Sequence, residues 1–177
     1  CKHTFAEKVF FSNSGAEAVE AAIKTARKYA YVNISKKKNE IVAFSDAFHG
    51  RTMMAIALNG SDRFIEGYGP MPGGIKHHQF NEVKGLEKAI NKNTAAVVIE
   101  LVQGEAGIIK AQKAFIQKIK KLCKQHKALI VVDEVQSGAG RTGTLFAYEQ
   151  FGIKPDIMCC AKGIGGGIPI GAVLTSS

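Results

Sequence analysis

The run Ala128-Leu129-Ile130-Val131-Val132 ends in Asp133, and further on Lys162 stands in Ala161-Lys162-Gly163 ahead of Gly165, Gly166 and Gly167. The apolar run reads as a buried strand, so Asp133 sits at a strand end, where a carboxylate is costly unless a cation meets it. A protonated pyridine nitrogen is such a cation. A lysine on a turn whose backbone can approach a ligand closely can form a Schiff base with an aldehyde once its amine is neutral, and burial beside a cationic ring would favour that state. An acid for a ring nitrogen and a lysine for an aldehyde are the two groups that pyridoxal phosphate needs. Each residue also has a plainer reading: Asp133 as a helix N-cap after a strand, Lys162 as an exposed loop lysine.

Two further segments are chemically suggestive. Ser14-Gly15-Ala16-Glu17-Ala18 opens a helix with small residues, which leaves backbone amides at the positive end of the helix dipole and suits a phosphate. The same letters satisfy an ordinary capping box between Ser14 and Glu17. Phe48-His49-Gly50-Arg51 follows a strand, so Phe48 could stack on a pyridine face and Arg51 could clamp a substrate carboxylate with its planar fork. A core histidine and a surface arginine are the alternatives.

The elements that must place these residues alternate. Apolar runs of strand length at Lys8 to Phe11, Ile41 to Phe44, Ala95 to Ile99, Ala128 to Val132, Ile157 to Cys160 and Ala172 to Leu174 are separated by segments of helical period. Glu17 to Val32 and Ala114 to His126 are the long helices, and Val83, Leu86, Ala89 and Ile90 give a short one. This pattern predicts one α/β domain: a three-layer, mostly parallel sheet with helices on both faces. Asn59 to Gly74 holds too many glycines and prolines for a regular element and reads as a surface excursion. In open α/β sheets ligands bind beyond the carboxyl ends of strands, which is where Asn13-Ser14-Gly15, Ala47-Phe48-His49, Asp133 and Lys162 fall.

Composition narrows the function classes. No apolar stretch approaches the ~20 residues of a membrane span. The cysteines Cys1, Cys123, Cys159 and Cys160 lack the spacing of a disulfide or metal framework, which points to a reducing cytoplasm. The net charge of +9 invites a nucleic-acid reading. However, Lys36-Lys37-Lys38 sits in a polar linker, and Lys113, Lys118, Lys120, Lys121, Lys124 and Lys127 decorate one helix without interleaved aromatics, so solvated faces are expected and no nucleic-acid partner.

Together with Gln103-Gly104-Glu105, Asp133-Glu134-Val135-Gln136 and Gly140-Arg141-Thr142-Gly143, these segments resemble the class III, fold type I pyridoxal-phosphate aminotransferases, most closely the acetylornithine aminotransferases. The motifs follow in the family's order along nearly the whole chain. Leu101, where a proline is usual, and Ala106, where many members have glycine, depart from the pattern and make the path of residues 101 to 106 less defined.

The resemblance implies Lys162 as the Schiff-base lysine and Asp133 as the pyridine-nitrogen partner. It implies Gln136 at the ring 3-oxygen, Phe48 as the stacking ring, Ser14, Gly15 and Ala16 around the phosphate, and His49 and Val135 beside the cofactor. Arg51 would hold the substrate α-carboxylate and Glu105 would act as a gate. The implied reaction moves the terminal amine of N2-acetylornithine to 2-oxoglutarate in arginine biosynthesis. Ornithine, 4-aminobutyrate or succinylornithine are alternative donors, and a non-catalytic fragment is an alternative role. Residues 1–177 would then be the large cofactor domain of a longer homodimeric enzyme, its small domain and true termini lying outside this stretch and a phosphate-binding threonine coming from the partner subunit.

Overall fold

A computed structural model describes residues 1–176. Its strands and helices run in the order β1 (Lys8–Ser12), α1 (Gly15–Asn33), β2 (Glu40–Phe44), α2 (Met53–Leu58), α3 (Asp62–Ile65), β3 (Ile75–His78), α4 (Leu86–Ala89), β4 (Thr94–Ile99), β5 (Val102–Gln103), β6 (Ile109–Lys110), α5 (Lys113–His126), β7 (Leu129–Asp133), β8 (Ile157–Ala161) and β9 (Gly171–Thr175). Seven strands form one sheet in the order β1-β9-β8-β7-β4-β2-β3. Strands β3, β2, β4, β7 and β8 pair in parallel, and β9 lies antiparallel between β8 and β1. The expected three-layer, mostly parallel architecture is therefore the one observed.

Side chains alternate across the strands and build a core on each face. Ile41, Ala43, Val98, Val131 and Cys159 meet the small-residue stripe of α1, Ala18, Ala22, Ala26 and Ala30. Val42, Phe44, Val97, Ile99, Ile130 and Val132 meet Phe115, Ile116, Ile119 and Leu122 of α5 on the other face. Strands buried on both faces read as continuous apolar runs, which is why the central ones were visible in the sequence.

The structure adds elements that the sequence did not announce. The segment Ile75–His78 forms β3, a polar edge strand parallel to β2, just beyond the predicted excursion. Helix α2 follows Arg51, and α3 lies inside the excursion. Residues 101 to 110 take a defined course: Leu101 is fully buried in the α5-side core, and β5 pairs with β6 as a short hairpin. One lysine departs from the solvated-face expectation. Lys38 is 2% exposed, and its Nζ donates to the carbonyl oxygens of His126 (2.7 Å) and Lys92 (3.3 Å). A cation there complements the C-terminal end of α5, whose last carbonyls lack helical partners. Among the described residues no helix is long and apolar enough to cross a membrane.

Phe115 is fully buried against the edges of Phe44 and Phe80, with ring centroids 5.1 and 5.7 Å away. Phe115→Ala is expected to destabilise the protein by about 3–5 kcal/mol, read as a lower urea midpoint at unchanged m-value.

Candidate active site

The carboxyl ends of β2, β4, β7 and β8, with the first turn of α1, border a cavity of about 440 Å3. Ser14, Gly15, Ala16, Phe48, His49, Glu105, Asp133, Val135, Gln136 and Lys162 all line it. Gly167 of the glycine run also lines it, together with Ile168, Pro169 and Ile170, which the sequence reading did not single out. Glu100, the residue directly after β4, is a further cavity wall.

Glycine sets two close approaches. A Cβ at Gly15 would lie 2.8 Å from Val135 Cγ1 and 3.3 Å from Ala161 Cβ, so its absence lets α1 seat its first turn against the ends of β7 and β8. A Cβ at Gly104 would overlap the Gln136 carboxamide, so Gly104 gives that side chain its place at the wall. Ser14 Oγ accepts the Glu17 N–H at 3.2 Å, while Glu17 accepts the Asn13 N–H at 2.6 Å. The N-cap half of the capping reading is thus realised, while the Glu17 carboxylate reaches Asn13 instead of the Ser14 N–H that would close a capping box. The amides opening a helix have no intrahelical acceptor, and Gly15 and Ala16 bring theirs to the cavity wall.

Asp133 is 4% exposed and fixed at both oxygens. The Val135 N–H donates to Oδ1 at 3.0 Å, and His49 Nδ1 lies 2.8 Å from Oδ2. Burial alone would lower the His49 pKa, but the hydrogen bond and charge of Asp133, with the charge of Glu100, outweigh it and raise the pKa above its ordinary value. Among the described residues, His49 Nε2 is buried without a partner. Burial pushes Glu100 up to about 7, with Asp133 adding to the rise and His49, the Phe48 N–H and Lys162 opposing it.

A phosphorylated pyridine aldehyde fits this cavity: the volume is that of a small-ligand site, α1 presents its first turn, and a buried carboxylate stands ready for a ring cation. Lys162 is exposed at the rim rather than buried. Its φ of 48° is left-handed, a conformation that costs a lysine about 1–2 kcal/mol and that Lys127, at the end of α5, also adopts. Arg51 stands outside the cavity lining. Its guanidinium packs over the rings of Phe48 (5.5 Å) and Phe64 (5.7 Å). A second hollow of about 900 Å3 shares Gln136 and Lys162 with the first and runs past Arg141.

The sign of the Glu100 shift makes a pH prediction. The carboxyl is raised from 4.5 to about 7, so across that window the folded state binds more protons than the unfolded one, and stability falls as pH rises. The raised His49 pKa acts in the same direction above 6.5. For the cofactor-free protein, the melting temperature of wild type is expected to drop relative to Glu100→Gln between about pH 5 and pH 8. Parallel curves would mean that Glu100 does not titrate in this window.

The aminotransferase class-III family profile matches residues 1–177. Succinylornithine transaminase of Photorhabdus laumondii subsp. laumondii is 49% identical over 174 residues, which is 98% of this chain and 43% of that protein. Among solved structures, the ornithine aminotransferase of Toxoplasma gondii ME49 superposes with a TM-score of 0.91 at 32% identity, over 97% of this chain and 42% of the other. A PLP-bound amine transaminase from an uncultivated Pseudomonas species superposes with a TM-score of 0.92 at 28% identity, over 97% of this chain and 44% of the other. The chain spans less than half the length of these relatives. Pyridoxal phosphate is the cofactor of the family, and with the fold, the motif order and the cavity in agreement, the chain belongs to the class-III aminotransferases.

Proposed function

We propose that the chain is the large cofactor domain of a cytoplasmic, homodimeric pyridoxal-phosphate enzyme. It would transfer the terminal amine of N2-acetylornithine to 2-oxoglutarate, giving the semialdehyde and glutamate in arginine biosynthesis. The observation that carries this reading is the buried Asp133 carboxylate, gripped by His49 in a cavity that Lys162 overlooks. When bound, pyridoxal phosphate supplies a cationic ring that accepts the electrons of a substrate carbanion.

The residues of the chain have distinct tasks around that ring. Asp133 would hold the proton on the ring nitrogen, its carboxylate oriented by the Val135 N–H and by His49. Phe48 would cover a ring face, Gln136 would meet the 3-oxygen, and the first turn of α1 at Ser14, Gly15 and Ala16 would take the phosphate. Lys162 Nζ would hold the aldehyde carbon and, once released, move a proton to and from the substrate carbon. Arg51 would clamp the α-carboxylate after leaving Phe48 and Phe64, and Glu105 would gate the entrance.

A second reading, succinylornithine as donor, is favoured by the name of the Photorhabdus relative. The two donors share the terminal amine and the α-carboxylate and differ only in the acyl tail. Their common chemistry uses the same Lys162, Asp133 and Arg51.

Borohydride reduction of the full-length protein loaded with pyridoxal phosphate is expected to label Lys162, and a label on another lysine sinks the assignment. Asp133→Asn is expected to keep the cofactor bound while kcat falls by about 100-fold or more, because a neutral partner does not hold the ring proton. In a donor panel, the acylated ornithines are expected to exceed 4-aminobutyrate in kcat/KM by about tenfold or more. Arg51→Ala is expected to raise the KM for the acylated ornithines by a similar factor, and an unchanged KM removes its role.

A further inference from the structure

The loop that bears Phe48 and His49 is gripped by side chains from two other elements. The Phe48 N–H donates to Glu100 Oε2 at 2.9 Å, from the residue directly after β4. The His49 N–H donates to Asn59 Oδ1 at 2.7 Å, and Asn59 Nδ2 donates to the Gly50 carbonyl at 3.2 Å. Asn59 closes α2, is fully buried, and uses both ends of its carboxamide on the backbone at residues 49 and 50. The next residue, Gly60, has φ +66°, and a Cβ there would lie 2.7 Å from the Phe44 carbonyl oxygen, so the chain leaves α2 pressed against the end of β2.

These bonds fix what the loop presents. Phe48 and His49 line the cavity, and His49 is the group that meets Asp133. Buried amides are rarely left without partners, and here their acceptors are side chains distant in sequence. Losing such an acceptor leaves an unsatisfied N–H and frees the loop to move. Small displacements of groups that orient a ligand have large effects on its binding and chemistry.

We infer that Asn59 and Glu100 are positioning residues, a clamp from two elements that fixes the Phe48–Gly50 loop so that the Phe48 ring and the His49 imidazole keep their places in the cofactor cavity. The inference rests on the cofactor reading above for its consequence, while the clamp itself is measurable without cofactor. Glu100 faces Asp133, His49 and Lys162, so its charge must be separated from its hydrogen bond. Glu100→Gln keeps a carbonyl acceptor for the Phe48 N–H and removes the charge, whereas Glu100→Ala removes both.

The test uses the full-length protein. In the cofactor-free form, deuterium exchange at the Phe48 and His49 amides is expected to accelerate in Glu100→Ala and Asn59→Ala and to stay close to wild type in Glu100→Gln. On titration with pyridoxal phosphate, the two alanine variants are expected to show a Kd about tenfold higher and a weakened circular-dichroism band of the bound cofactor, with Glu100→Gln, which loses the charge but keeps the acceptor, falling between them and wild type. Should Asn59→Ala fail to fold, Asn59→Asp, which keeps the acceptor for the His49 N–H, and the Glu100 pair give the answer. Unchanged exchange in the alanine variants overturns the clamp. Altered exchange with unchanged Kd and dichroism overturns its role in positioning. Equal behaviour of Glu100→Gln and Glu100→Ala overturns the assignment of Glu100, since charge alone would then matter. Wild-type protein that binds no pyridoxal phosphate defeats the cofactor reading and leaves the exchange result standing.

Discussion

The contact between His49 Nδ1 and Asp133 Oδ2, 2.8 Å long and almost wholly shielded from water, is the constraint around which the site is arranged. Its partners come from β7 and from the loop after β2, and β4 lies between those strands in the sheet. For His49 to reach Asp133, the loop must cross the carboxyl end of β4. Glu100 stands at that end and takes the Phe48 N–H, so the crossing is secured by the residue it passes. Gln103, a little further on, donates from Nε2 to the Ser45 carbonyl at 2.9 Å and secures the start of the same loop. Strand order, loop path and the His49–Asp133 hydrogen bond form one arrangement.

A buried pair of this kind is a poor source of stability. Desolvating both partners offsets most of their attraction, although removing one of them leaves a charge stranded at a cost of about 3–5 kcal/mol. The site adds a second carboxylate, Glu100, which burial pushes up to about 7, and an imidazole nitrogen with no partner among the described residues. A core evolved for stability alone would have filled this volume with apolar side chains. Its electrostatics make sense when a cation from outside completes them, and the pyridinium of the family's cofactor is one.

The sequence revealed the parts of the fold whose physics is local. Central strands buried on both faces appear as apolar runs, and α1 and α5 as stripes of helical period. The edge strand Ile75–His78 exposes lysine and histidine side chains and follows a stretch of glycines and prolines, so nothing local marked it. Helix α2, with the sequence Met-Met-Ala-Ile-Ala-Leu, is too short and too uniformly apolar to show a period. In the site, Asp133 and Lys162 were legible because a strand end and a glycine run frame them. Asn59 was read as the start of a surface excursion, because its task depends on residues 49 and 50 folding back onto it. The engagement of Arg51 with Phe64 was hidden for the same reason, since it requires α3 to form first.

That engagement also bears on how the two ends of the site differ. The Asp133 end is buried, and Asp133, His49 Nδ1 and Glu100 are bonded there, whereas Lys162, Glu105 and Arg51 are exposed. Arg51 rests on two aromatic rings, each contact worth about 0.5–1 kcal/mol at an exposed position. A fork-to-fork pairing with a carboxylate is worth about 1.5–3 kcal/mol. The exchange of rings for carboxylate is therefore close to balanced in open solvent and becomes favourable as water is excluded, since screening weakens the charge pair far more than the ring contacts. If Arg51 is the carboxylate clamp proposed above, it would meet that carboxylate firmly only where water is excluded and would release Phe48 as it did so, tying the grip on substrate to the freedom of the ring that lines the cavity.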